Sequence, residues 1–260
     1  KQRIEAQCQH FLKCGGCDVQ HMSPVAQLDF KKQKVSDLFA RSNHIEELPW
    51  HAPIVSEPWH YRRKARIGVQ YDKVGQATIG FRQRGSNHLI NIKNCPVLVE
   101  PLSPIFSLLK KLLSKLTGKN AIGHIEVIFT GKVTVVVRQL ETLTKQDKLH
   151  WQTFSENFSC DVLFDSGKEI TPLDETTAIV LNYALDDNIN IYFSTNNFIQ
   201  VNHHVNKKMI TQALQWLKLN KQDIVLDLFC GLGNFSLPIA KKVAQVVGIE
   251  GVDLMVKNAH

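Results

Sequence analysis

Residues Ile224 to Glu250 read IVLDLFCGLGNFSLPIAKKVAQVVGIE. The order is strand, glycine turn, helix, strand. Ile224 to Phe229 is a short apolar run, as expected of a strand buried on both faces. Gly231 and Gly233 let the backbone turn tightly and approach a ligand closely. Asn234 to Lys242 continues as a helix. Val243 to Ile249 is a second apolar strand, and Glu250 stands at its end, where an acid can hold two ribose hydroxyls. A dinucleotide fold prefers G-x-G-x-x-G, and here the third position is Ser236. Asp227 lies inside the strand just before the glycines. A carboxylate there is a poor neighbour for a pyrophosphate and a good one for a cationic ligand. S-adenosylmethionine, with its sulfonium and ammonium groups, fits that charge. The plainer alternative is a glycine turn in an α/β domain with no ligand.

Around that stretch, 260 residues leave room for one large domain or two ordinary ones. Hydrophobic residues make up 43%, enough for a core, and no apolar run is long enough to span a bilayer. A soluble, cytoplasmic chain with no membrane role is therefore expected, and no obligate protein partner is evident. A doubly wound sheet needs more strands than 224–260 supplies. The chain is expected to be a piece of a longer protein, cut at both ends. The net charge of +7 is uneven. Residues 1–120 hold 19 Lys+Arg against 9 Asp+Glu, and residues 121–260 hold 12 against 15. A basic front joined to a near-neutral nucleotide half suggests a polyanion-binding part attached to a catalytic part.

Residues 8–17 read C-x5-C-x2-C, with Gly15 and Gly16 between the last pair. Adjacent glycines let thiolates converge, and Cys95, followed by Pro96, is the candidate fourth ligand. His10 and His21 compete for that place. Four thiolates hold either zinc or a [4Fe–4S] cluster, and spacing does not choose. With no secretory signal, disulfides are not expected. Cys160 reads as a buried thiol.

Pro24 to Arg41 reads as a helix behind a Ser23 cap, with an approximate apolar stripe of Val25, Leu28, Val35, Leu38 and Phe39. Tyr61 to Tyr71 alternates like a strand: Ala65, Ile67 and Val69 share one face, and Arg62, Lys64 and Arg66 the other. Gln76 to Arg84 is its hairpin partner and brings Arg82 and Arg84. Five cations on paired strands make a phosphate-binding surface that positions RNA without reading its sequence. Guarding an edge strand is the other use such charges have. Leu89 to Ile92, Ile122 to Phe129, Lys132 to Leu140, Val162 to Asp165, Thr177 to Leu181 and Ile189 to Phe193 read as further strands. Pro104 to Leu116, Lys145 to Phe154 and Val205 to Leu217 read as helices. Between them, Ser194 to Asn206 (STNNFIQVNHHVN) is rich in amides and can line a cleft between two domains; His203 and His204 are expected to be exposed.

Taken together, C-x5-C-G-G-C with Gln20-His21, Gln27-Leu28, YRRKAR, GFRQRG, Asn94-Cys95-Pro96, FIQVN, DLFCGLGNFSLP and VVGIEG resemble the RNA uracil-5-methyltransferases. Within them the pattern is most similar to the iron–sulfur branch acting on bacterial 23S ribosomal RNA. The resemblance implies an α+β central domain, residues 1–193, with a [4Fe–4S] cluster on Cys8, Cys14, Cys17 and Cys95. It implies that residues 194–260 begin an α/β Rossmann-like S-adenosylmethionine-dependent methyltransferase domain. An oligonucleotide-binding TRAM domain would precede Lys1. Gln200, Phe229, Asn234 and Glu250 are implied as cofactor contacts, and Phe198 as a neighbour of the target base. The family's nucleophilic cysteine and its basic glutamate would lie beyond His260, so no catalytic residue is expected within the chain and it should be inactive alone. The implied reaction adds a thiolate to carbon 6 of uracil so that carbon 5 can take the methyl group. Cys230, in the cofactor turn, is not expected to be that thiolate. Two other readings stay open: a non-catalytic RNA-binding module with a four-cysteine metal site, and a methyltransferase acting on transfer RNA.

Overall fold

The computed structural model describes residues 2–176 and 178–259. Its centre is a mixed seven-stranded sheet. In chain order its strands are β1 (Lys64–Tyr71), β2 (Ala77–Arg82), β3 (Leu89–Asn91), β4 (Ile122–Phe129), β5 (Val133–Gln139), β6 (Cys160–Asp165) and β7 (Ile170–Pro172), arranged β3-β2-β1-β4-β5-β6-β7. Every pairing is antiparallel except β5 with β6. That exception follows from chain order, because a parallel pair needs a crossover and helix α3 (Lys145–Phe158) supplies it. Asp72 closes the β1–β2 hairpin by accepting the Gly75 N–H on its carbonyl.

One face of this sheet, with Ala65, Ile67 and Val69 as the alternation predicts, packs under helix α2 (Ile105–Leu113) and α3. Trp151 of α3 is fully buried there, edge-on to Phe154 and Phe164. Asp147, in the first turn of α3, is also fully buried. Its carboxylate accepts the Thr117 N–H at 2.8 Å, the Gly118 N–H at 3.1 Å and the Thr117 hydroxyl at 2.9–3.0 Å. Burial alone would raise its pKa. The bonds from Thr117, Thr144 and Gly118 outweigh it and hold the carboxyl below its usual range. Asp147→Ala leaves those donors unmet, and a loss of about 3 kcal/mol in urea unfolding is expected.

The opposite face gives Ile128, Val136 and Leu163 to a second core. This core joins the hairpin β8 (Asn182–Asp186) and β9 (Ile189–Tyr192), the helix α4 (His203–Leu217) and Leu232 of the glycine turn. The last elements are β10 (Ile224–Leu228), α5 (Ser236–Ala240), β11 (Gln245–Ile249) and α6 (Asp253–Ala259). Strands β10 and β11 pair in parallel, with Asp227 opposite Gly248.

Three expectations need correcting. Ile224, Leu226 and Leu228 are exposed, not buried, because β10 and β11 form a sheet of two strands only. The stripe on α1 (Pro24–Asn43) packs little: Ala26 alone is buried, and Val25, Val35, Leu38 and Phe39 are exposed. Thr177 lies outside the described residues, and residues 178–181 belong to no strand; the strand starts at Asn182. Among the described residues no helix is long and apolar enough to cross a membrane.

Candidate cofactor turn, cysteine cavity and basic sheet

The glycine turn leaves β10 at Phe229, which has φ 62°, followed by Gly231 at 58° and Gly233 at 83°. A side chain on Gly233 would also press on Leu237, 3.1 Å away. Phe229 is 88% exposed although left-handed backbone is costly for an aromatic residue. The turn is closed by Glu250, whose carboxylate accepts the Gly231 N–H at 3.0 Å and the Val252 N–H at 3.0 Å. Ser236 donates to Asp227 at 2.5 Å, so the residue that breaks the dinucleotide motif holds the strand acid. Asn234 and Asn206 exchange two amide hydrogen bonds, at 2.8 and 2.9 Å. Burial, then the charges of Asp227 and Glu250, push the Cys230 thiol up. A thiol beside two carboxylates ionises poorly, which suits a bystander better than a nucleophile.

Loop 194–202 approaches this turn. Asn197 folds back to accept the Ser194 N–H at 2.6 Å, and Asn202 caps α4 by accepting the Val205 N–H at 3.0 Å. Between them Ile199 is buried in the same core as Leu232, while Phe198 points outward, 69% exposed, and Gln200 is part-buried. Ile199 is thus turned into the core while its neighbours Phe198 and Gln200 keep solvent contact.

His204 is exposed as expected, but His203 is not. Its Nδ1 lies 3.3 Å from Arg63 Nη1. Burial, then the cations Arg63 and Lys207 and the neighbouring His204, lower its pKa to about 4. A histidine that resists protonation when folded leaves stability intact above about pH 6.5 and removes it as pH falls towards 4. With partial exposure discounted, about 1–2 kcal/mol should be lost between pH 7.5 and 4.5. Denaturant titration of wild type and His203→Gln checks this; the variant should show the shallower acid loss.

Cys8, Cys14, Cys17 and Cys95 line one cavity of about 240 Å³, together with Phe11, Gln20, Arg62 and Arg66. The adjacent glycines let the loop pack tightly. Gly15 passes so close to the β2 end that a side chain would meet the Arg82 carbonyl at 3.1 Å, and the Gly16 N–H points at Cys14 Sγ, 3.4 Å away. Main-chain bonds Gly15 N–H to Arg82 and Arg84 N–H to Lys13, both 2.9 Å, tie the loop to β2. Burial raises Cys95 to about 11, and Cys17 and Cys8 add to the effect. Four thiols around one cavity are donors of the kind that hold zinc or an iron–sulfur group. Among the described residues, however, no three metal-binding side chains are gathered tightly enough to hold one ion. The donor set fits a metal group, and the thiols are spread around a cavity instead of closed on a point. Neither competing histidine joins them: His10 Nε2 accepts the Lys93 N–H at 3.3 Å, and His21 stacks on Phe11.

The five cations do not form one face. Arg66 and Arg82 are exposed and line an open groove of about 560 Å³ with Gln70, Asn87 and His124. Arg84 is exposed but bonds Asp18 at 2.5 Å and the Cys17 carbonyl at 2.8 Å. Arg62 is part-buried beside the cysteine cavity. Lys64 is turned inward, its Nζ on the carbonyls of Thr195 and Asn197. Sequence reasoning missed three residues here: Arg63, Glu126 and Asn206. For Arg63 a signal existed, since it falls in phase with Ala65, Ile67 and Val69 on the apolar face.

A strand, glycine turn and parallel strand closed by an acid define an α/β nucleotide-binding unit, here attached to a mixed sheet. The family model described as tRNA (Uracil-5-)-methyltransferase matches residues 24–260, and the chain belongs to that family. Among curated proteins it is 51% identical, over 99% of its length, to the 23S rRNA (uracil(1939)-C(5))-methyltransferase RlmD of Colwellia psychrerythraea. It is 41% identical, also over 99%, to the protein of that name from Shewanella sediminis. The chain spans 60% and 59% of those two relatives. In fold it is similar to the Pyrococcus abyssi tRNA (uracil-54, C5)-methyltransferase, solved in complex with S-adenosyl-L-homocysteine. The TM-score is 0.69 at 17% identity, over 99% of this chain and 61% of that one.

Proposed function

We propose that the chain is the central part and the cofactor half-site of an S-adenosylmethionine-dependent enzyme that methylates carbon 5 of a uridine in 23S ribosomal RNA. The carrying observation is the glycine turn closed by Glu250 and flanked by Asp227, in a chain of this family. Residues 1–193 form the iron–sulfur and RNA-binding part, and 194–260 begin the methyltransferase part. Bound there, S-adenosylmethionine supplies a methyl group made electrophilic by its sulfonium. Glu250 exchanges its bond to the Gly231 N–H for the ribose hydroxyls. Phe229 offers an exposed ring, and Asn234, its amide fixed by Asn206, and Gln200 present polar groups from the two sides. Asp227 favours the cationic end of the ligand. Phe198 stacks near a uracil taken out of its helix. Arg62, Arg66, Arg82 and Arg84 hold phosphates; Lys64, though cationic, serves the loop. The names of the relatives support ribosomal over transfer RNA as substrate, as does the cysteine cavity, where Cys8, Cys14, Cys17 and Cys95 would hold a [4Fe–4S] cluster. A cysteine–uracil adduct is the proposed route, its thiolate supplied by another part of the full-length enzyme.

Calorimetric titration with S-adenosylhomocysteine tests the half-site. Wild type should bind, and Glu250→Ala should bind about 100-fold more weakly, the cost of two charge-assisted hydrogen bonds. Equal affinity of the two proteins would refute the assignment.

A further inference from the structure

Lys64, the first residue of β1, and Arg63 just before it face inward and grip loop 194–202. Arg63 is 4% exposed and lies over the Tyr183 ring, 3.9 Å from its centre. Its Nε donates to the Gln200 carbonyl at 3.0 Å, and its main-chain N–H to the Val201 carbonyl at 3.1 Å. Lys64 Nζ donates to the Thr195 carbonyl at 2.6 Å and the Asn197 carbonyl at 3.1 Å. Thr195 and Asn197 are buried, and the next residue is the exposed Phe198. Two consecutive residues at the start of β1 thus hold the main chain on both sides of the two side chains assigned to base and cofactor. A secluded ammonium group needs a counter-charge. Glu126, 9% exposed, supplies it at 3.4 Å. Its other oxygen accepts Arg66 Nε at 3.1 Å and Nη2 at 2.9 Å.

We propose that Lys64 is a positioning residue: it fixes loop 194–202 so that Phe198 and Gln200 meet the base and the methyl donor in one arrangement. Glu126 holds Lys64 in place and ties it to the RNA-facing Arg66. The inference rests on the methyltransferase reading of the loop. A simpler role would be counter-ion to Glu126. The distances argue against it, because the ammonium is closer to both carbonyls than to the carboxylate, and Arg66 already pairs with Glu126. Loop placement matters steeply, since an error of about 1 Å in a reacting group can cost about 100-fold in rate.

The test compares the wild-type chain, Lys64→Met, and Lys64→Met/Glu126→Gln. Three quantities are read: amide hydrogen exchange across 194–202, S-adenosylhomocysteine affinity, and melting temperature. In Lys64→Met, exchange should rise about tenfold or more, and affinity should fall about tenfold. In the double variant the carboxylate that lost its ammonium partner and kept only Arg66 is neutralised, so melting temperature should recover part of its loss while fast exchange and weak affinity persist. A double variant that regains slow exchange and tight binding would reduce Lys64 to a counter-ion and overturn the proposal. So would a Lys64→Met loop that exchanges at the wild-type rate. A wild type with no affinity for S-adenosylhomocysteine sinks the methyltransferase reading instead, and the exchange rates still decide whether Lys64 holds the loop.

Discussion

Cys95→Ala, purified without oxygen, is expected to lose the broad visible absorption of an iron–sulfur protein and to fall from about four irons per chain to fewer than one. Cys95 is the one cavity thiol that lies outside the 8–17 loop, so it joins the N-terminal segment to the sheet. A group that binds only the folded state at 100 to 1,000 times its dissociation constant stabilises by about 3–4 kcal/mol. Its loss should lower the melting temperature by about 6–16 °C. The 8–17 loop would keep its main-chain bonds to Arg82 and Arg84, the Arg84 bond to the Cys17 carbonyl and the Lys93 N–H to His10 bond. Cys160→Ala is the control: that thiol is buried in the main core, away from the cavity, and its replacement should leave iron content unchanged. Colourless wild-type protein carrying one zinc would instead favour the RNA-binding module with a four-cysteine metal site.

The second large effect is on RNA. Arg66→Ala/Arg82→Ala/Arg84→Ala should weaken binding to a ribosomal RNA fragment about 100-fold at physiological salt. The slope of log affinity against log salt should fall by about 2 to 3, roughly one unit for each phosphate no longer held. Arg66 and Arg82 share the open groove, and the exposed Arg84, two residues on, bonds the Cys17 carbonyl. Lys64→Met should leave that slope unchanged, because its ammonium is spent on carbonyls inside the protein. An unchanged slope in the triple variant would place the RNA elsewhere.

These two outcomes separate what the sequence makes visible from what it hides. Alternation in 61–71 placed Ala65, Ile67 and Val69 in the core because period-two patterning is local information. It also put Lys64 beside Arg66 as an outward cation. Facing away from that core is not the same as facing solvent: a second core covers part of the opposite sheet face, and the loop that meets Lys64 is 131 residues away in sequence. Arg63 shows the converse. A charge in phase with an apolar face must find buried partners, so its presence was legible while Gln200 and Tyr183 as those partners were not. The glycine turn closed by Glu250 was legible, since glycines, strand acid and terminal acid are contiguous. Asn206 was not, because its value lies in meeting Asn234, 28 residues on, from helix α4. For α1 the stripe predicts a buried face, but periodicity says nothing of whether a neighbour is present to cover it. Burial of β10 fails for a related reason: it depends on neighbouring strands, not on the apolar run itself.

The most direct test of the central claim is tritium release from 23S ribosomal RNA labelled at carbon 5 of uridine. The protein should be extended to the full length of its relatives, and S-adenosylmethionine supplied. Methyl transfer to carbon 5 expels the proton there, so the account predicts cofactor-dependent release of one tritium per methyl group incorporated, at a single uridine. Methyl incorporation without tritium release, or release from transfer RNA but not from 23S ribosomal RNA, would contradict it.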